Sequence, residues 1–107
     1  MTIRYKNAKT DLTTTNATDV FSVPNATTAV IKSILVSEDS GNADTITLTL
    51  TDSASAIFSL FKVKAVSANT TVELLTAPQV VAESEKITAQ AATANRLHVV
   101  VSFMEIS

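Results

Sequence analysis

The segment Asp44-Thr45-Ile46-Thr47-Leu48-Thr49-Leu50-Thr51-Asp52 alternates apolar and polar residues without a break. In an extended strand successive side chains point to opposite faces, so Ile46, Leu48 and Leu50 share one face and the four threonines share the other. A helix would scatter the three aliphatic residues around its circumference. Thr and Ile are also β-branched, which favours a pleated, half-buried surface. This stretch therefore predicts a half-buried β-strand, and the rest of the chain must supply partners and a covering layer for it.

Further period-two segments follow the same logic. Asp19–Val23 reads as a strand stopped by Pro24, with Pro24-Asn25-Ala26 as a turn. Thr28–Ser37 has apolar residues on both faces, Val30, Ile34 and Val36 against Ile31, Ser33 and Leu35, which predicts a central strand covered on both sides. Glu38–Ala43 is a loop whose Gly41 is expected at positive φ, joining 28–37 to the opening strand as an antiparallel hairpin. Ile57–Lys64, Thr70–Thr76 and the short Gln79–Val81 read as strands. Ile87–Ala91 alternates and reads as a strand in preference to a helix over Ser84–Asn95. In Leu97–Ile106, Leu97, Val99, Val101 and Phe103 face one way, with Val100 and Met104 facing the other. About eight short strands with turn signals between them, and no helices between strands, fit an antiparallel sandwich, jelly roll or small barrel, and the fold class expected is an all-β antiparallel sandwich, jelly-roll-like. Residues 1–15 are polar and Thr-rich after a short alternating start and read as an extended N-terminal arm; residues 16–107 read as one β-sandwich domain.

Composition narrows the function classes. With 107 residues the chain makes one domain with a thin core. A formal net charge of −2 argues against a nucleic-acid footprint, which needs clustered cations. Arg4, Lys6 and Lys9 form one small basic cluster. There is no cysteine, so thiolate chemistry and cysteine-based metal sites are excluded. A single glycine leaves no Gly-rich phosphate loop. No apolar run is long enough to span a bilayer, and the start lacks the apolar stretch of a signal peptide, which predicts assembly in a cytoplasm without membrane contact. The one histidine, His98, sits in a strand between Leu97 and Val99 with no nucleophile motif, and reads as structural or interfacial. Glu38, Asp39, Asn42 and Asp44 cluster on one loop but lack the spacing of a calcium loop, and read as a solvated turn. The phenylalanines alternate with small residues and read as core. An enzyme is not expected, nor a cofactor or a metal.

The chain resembles a family of small virion structural proteins of tailed bacteriophages. The resemblance is carried by Tyr5-Lys6-Asn7 with the Thr-rich run after Leu12, by Phe21–Ile34, by Ser40-Gly41-Asn42-Ala43 and by the closing Leu97–Ser107. It implies a β-sandwich accessory component of the head or tail that works as a symmetric oligomer, and it carries no catalytic residues. Two strands apolar on both faces, in a domain too small to cover both, agree with burial by association. The expectation is a capsid decoration or cement protein in the virion, a homotrimer by analogy with threefold shell sites, with the major capsid protein or a tail protein as partner. A tail or neck accessory and a glycan-binding adsorption module are the alternatives. The residues expected to meet the shell are Ile3, Arg4, Tyr5, Lys6 and Leu12, on an arm whose removal leaves the fold. Those expected at the oligomer interface are Ile31, Leu35, His98, Val100 and Met104.

Overall fold

The computed structural model describes residues 1–107 as nine strands and no helix. They are β1 (Ile3–Leu12), β2 (Thr18–Ser22), β3 (Thr28–Glu38), β4 (Asp44–Thr51), β5 (Ile57–Val66), β6 (Thr71–Glu73), β7 (Gln79–Val81), β8 (Lys86–Ala91) and β9 (Leu97–Ile106). The larger sheet runs β1-β9-β3-β6, with β7 also on β3; the smaller runs β2-β8-β4-β5. Every pairing is antiparallel.

The topology is one long ribbon rolled up. The chain turns back at Asp52–Ala56, where the Asp52 Oδ1 accepts the N–H groups of Ala54 and Ala56, both at 2.9 Å. From that turn outward β4 pairs with β5, β3 with β6 and β7, β2 with β8, and β1 with β9. Rolling the ribbon then brings β9 onto β3 and β8 onto β4. This is jelly-roll order in an antiparallel sandwich; the alternation predicts the antiparallel strands, and the order comes from the pairing.

The core lies between the sheets, where β3, β4, β8 and β9 present Ala29, Ile31, Ile34, Val36, Ile46, Leu48, Ile87, Ala89, Leu97, Val99 and Val101, all fully buried. Phe21 stacks on Phe103 with ring centroids 4.6 Å apart and closes one end. β8 is a strand, and Gly41 has φ +85°.

Five expectations are corrected. The segments 28–38 and 44–51 do not form a hairpin, because the loop between them carries the chain from one sheet to the other. Ile31 is fully buried and cannot serve an interface. A register shift between Ile31 and Ser33 inserts Lys32 as an extra residue, so Ile31 and Ile34 face the core together and the outward set becomes Val30, Ser33, Leu35 and Ser37. Residues 3–12 are not a separate arm: they pair with β9 in unbroken register from Ile3↔Ile106 to Leu12↔Leu97. Leu12 is fully buried, which removes it from any shell contact. Phe58 is not core but 56% exposed, on an edge strand whose register against β4 shifts twice.

Candidate interaction surface

The polar clusters singled out in the sequence are occupied with the chain itself. Glu38 is buried at the end of β3. Its Oε2 accepts the N–H of Ser40 at 2.9 Å and the Ser40 hydroxyl; its Oε1 accepts the N–H groups of Gly41 at 3.0 Å and Asn69 at 3.2 Å. Burial alone would raise this carboxyl, but the Ser40 hydroxyl and N–H, with the N–H groups of Asn69 and Gly41, outweigh it and hold the pKa at about 2. Glu38 thus staples two loops together as a carboxylate. Asp44 likewise accepts Thr45 N–H at 2.8 Å and Thr93 N–H at 3.1 Å. No group of three or more acidic or histidine side chains comes together as a metal site.

Glu73 locks the irregularity in β3. Its Oε2 accepts Ile34 N–H at 2.7 Å and Leu75 N–H at 3.3 Å, and its Oε1 takes the Ser33 hydroxyl. Burial pushes this carboxyl up, but these donors hold it below its ordinary value.

What faces outward on the larger sheet is a continuous field rather than a cleft. Register alignment places Ile3 opposite Ile106, Tyr5 opposite Met104 and Asp11 opposite His98 across β1 and β9. On the other side of β9, Met104 lies opposite Val30 and Val100 opposite Leu35, while Val80 lies opposite Val30. Ile3, Tyr5, Leu35 and Val80 are exposed; Val30, Val100, Met104 and Ile106 are half-buried. One end of this face is therefore apolar. The other end is polar: His98 Nε2 lies 3.3 Å from Asp11 Oδ1, and His98 Nδ1 lies 3.7 Å from Asp39 Oδ2. All three side chains are solvent-exposed, where such pairs are worth about 0–1 kcal/mol. They fix the orientation of the ring at the edge of a shallow hollow of about 330 Å³ lined by Lys9, Thr10, Asp11, His98, Val99 and Val100.

The structure thus brings Leu35, His98, Val100 and Met104 together on one face, and sets Ile3, Arg4, Tyr5 and Lys6 on the neighbouring edge strand. Ile3 and Tyr5 point to the outer face, whereas Arg4 and Lys6 point to the inner side where the larger sheet overhangs; Lys6 Nζ meets Glu105 there at 3.0 Å. Sequence reasoning missed Val30 and Val80. Val30 was grouped with Ile34 and Val36, a phase that the inserted Lys32 breaks, and Val80 sits in a strand of three residues, too short to show a period.

A second apolar surface lies on the smaller sheet. Ile57, Phe58 and Val63 are exposed on β5. Beside them is a groove of about 240 Å³ between β5 and the connection to β7, lined by Leu60, Phe61, Leu74, Leu75 and Pro78 among others.

No protein-family model matches this sequence, and no curated protein matches it.

Proposed function

We propose that this protein is a non-enzymatic structural component of a bacteriophage particle, most simply a decoration protein of the head shell. The observation that carries the reading is the outer face of the larger sheet. Ile3, Tyr5, Val30, Leu35, Val80, Val100 and Met104 form an apolar field on a sandwich that has no third layer to cover it. Apolar fields of this kind mark surfaces that associate. The chain's resemblance to small virion proteins supplies the setting, and a rigid sandwich of this size suits repetitive attachment to a symmetric shell.

In this reading Leu35, Val100 and Met104, with His98 at the rim, meet other copies of the chain, and the edge strand β1 meets the shell. Copies held together in a symmetric oligomer, a trimer matching a threefold shell site, bind through avidity, so each single contact can be weak. Quantitative mass spectrometry of purified particles tests it. A head decoration protein is present on the order of hundreds of copies, and a tail or neck accessory at about a dozen or fewer. A Leu35→Asp, Val100→Asp double variant should leave the sandwich folded and lower its occupancy on particles. Absence from particles, or unchanged occupancy of the variant, overturns the reading.

A further inference from the structure

Taking β1 as the shell contact proposed above, we propose that its free edge binds an extended, acidic segment of the partner as an added antiparallel strand. The occupant is a polypeptide in which apolar and acidic residues alternate.

The sandwich has four sheet edges, and three are blunted. β2 is five residues long and its pairing shifts register between Asp19 and Phe21. β6 and β7 are three residues each, separated by a connection containing Pro78. β5 is long, but it shifts register twice, carries Lys62 and Lys64, and holds Val63 at φ +52°. Short strands, bulges and lysines are the usual means by which sheets discourage added strands. β1 differs: its ten residues pair with β9 without a single shift.

The direction of its unpaired groups follows from the ladder. Thr2 and Ser107 exchange both backbone hydrogen bonds, N–H to carbonyl at 2.6 and 2.9 Å. Bonded and non-bonded pairs alternate along an antiparallel ladder. The even residues of β1 therefore bond to β9. The N–H and carbonyl groups of Ile3, Tyr5, Asn7 and Lys9 point away from it, into solvent. Asp11 does the same, and its carbonyl accepts Thr13 N–H at 3.0 Å. The result is a straight row of donors and acceptors at strand spacing, the template that strand addition uses.

The side chains beside the row specify the guest. On the outer face the row is flanked by Ile3 and Tyr5, continuous with Met104 and Ile106, so the guest needs apolar residues there. On the inner side it is flanked by the unpaired Arg4 and by Lys6, which already meets Glu105 at 3.0 Å, so a guest carboxylate there pairs with Arg4 and shares Lys6. Lys9, of the same parity as Ile3 and Tyr5, adds a positive charge at the far end of the outer face. With Arg4, Lys6 and Lys9 against the single acid Asp11, the strand is basic within a chain of net charge −2. This charge disfavours a second copy of β1, because self-pairing would set like charges close together.

The test uses an acetylated peptide of alternating valine and glutamate, about ten residues long to match β1. Controls are a block peptide of the same composition and an alternating valine–lysine peptide. Binding is followed by hydrogen exchange of individual amides. In the free protein the amides of Tyr5, Asn7 and Lys9 exchange fast and those of Lys6 and Ala8 slowly. The Val–Glu peptide should slow the first set by about tenfold or more and leave the second unchanged. Asn7→Pro removes only an outward donor and places its ring in the guest's path, so it should keep the fold and lose the protection. If Asn7→Pro does not fold, the charge reversal Arg4→Glu with Lys6→Glu replaces it and should lose binding equally. Three results overturn the proposal: no protection of the outward amides, protection only at β2 or β5, or protection that rises with protein concentration without peptide, which would make a second copy the occupant. None of these bears on particle copy number, so the virion reading stands or falls separately.

Discussion

Leu12 decides whether the N-terminal segment is an appendage or part of the sandwich. Its side chain is fully buried at the end of β1, with Leu97 as its register partner on β9. Replacing it by alanine removes three methyl or methylene equivalents from a packed interior and leaves a void, which costs about 2–5 kcal/mol. Unfolding entropy scales with length, at about 0.2 kcal/mol/K for a chain of this size. A central cost of ~3 kcal/mol thus becomes a fall in Tm of roughly 10–15 °C. Tyr5→Ala is the internal control: Tyr5 lies on the same strand but is 79% exposed, so its loss should stay within about 0.5 kcal/mol, or ~2 °C. Thermal denaturation by circular dichroism, repeated at several protein concentrations because self-association raises Tm, measures both. A Leu12→Ala shift no larger than that of Tyr5→Ala would refute the docked strand and restore a free arm. By the same reasoning, deletion of residues 1–12 should abolish the cooperative transition rather than leave the fold.

Glu38 should make stability depend on acid. Its folded pKa of about 2 lies below the ordinary 4.5, so the stabilisation is fully present above about pH 4.5 and is lost as pH falls toward 2. Urea midpoints measured from pH 6 to pH 2 should fall over this window, and Glu38→Gln should lower the midpoint at pH 6 and flatten the slope; an unchanged slope would count against the staple. Val63 is a β-branched residue at φ +52°, a conformation costing roughly 1–2 kcal/mol for side chains of its kind. Because its side chain is largely exposed, Val63→Asn should relieve strain at little packing cost and raise Tm by a few degrees; a lower Tm would show that Val63 is held by contacts worth more than the strain.

The sequence signals that succeeded were those of strands buried regularly on one face. In β4, Ile46, Leu48 and Leu50 turn inward and the threonines outward, as alternation requires, because β8 and β5 flank it on both sides. β9 reads equally well from Leu97, Val99, Val101 and Phe103. Failures came where the period is broken or masked. One inserted residue, Lys32, reverses the phase of β3, so Ile31 passed for an interface residue and Val30 was grouped with Ile34 and Val36, which are buried. β1 looks like a solvated arm because its inner side is lined by Arg4 and Lys6 where the sheet overhangs, leaving Ala8 and Leu12 as a weak apolar signal. The hairpin assigned to 28–52 fails because a six-residue loop signal is the same whether the chain returns along its own sheet or crosses to the facing one. Of the surface residues, Leu35, His98, Val100 and Met104 were legible as one outward set, since β9 fixes their phase and β3 regains it after the bulge.

The scarcity of glycine explains how such loops are held. Ala26, Ser55, Asn69, Ser84 and Asn95 occupy left-handed turn positions that glycine would fill at less cost. Carboxylates compensate by accepting loop N–H groups: Glu38 for Ser40, Gly41 and Asn69, Asp52 for Ala54 and Ala56, Glu83 for Ala26, Glu85 for Ala82. These acids are committed to the backbone and hold the loops they meet. The cations are distributed differently. Lys6 is paired with Glu105, but no ion pair engages Arg4 or Lys9, which stand along the regular free edge. Carboxylates thus serve the loops, while Arg4 and Lys9 stand unpaired on the outermost strand of the larger sheet and give β1 a local positive charge in a chain of net charge −2.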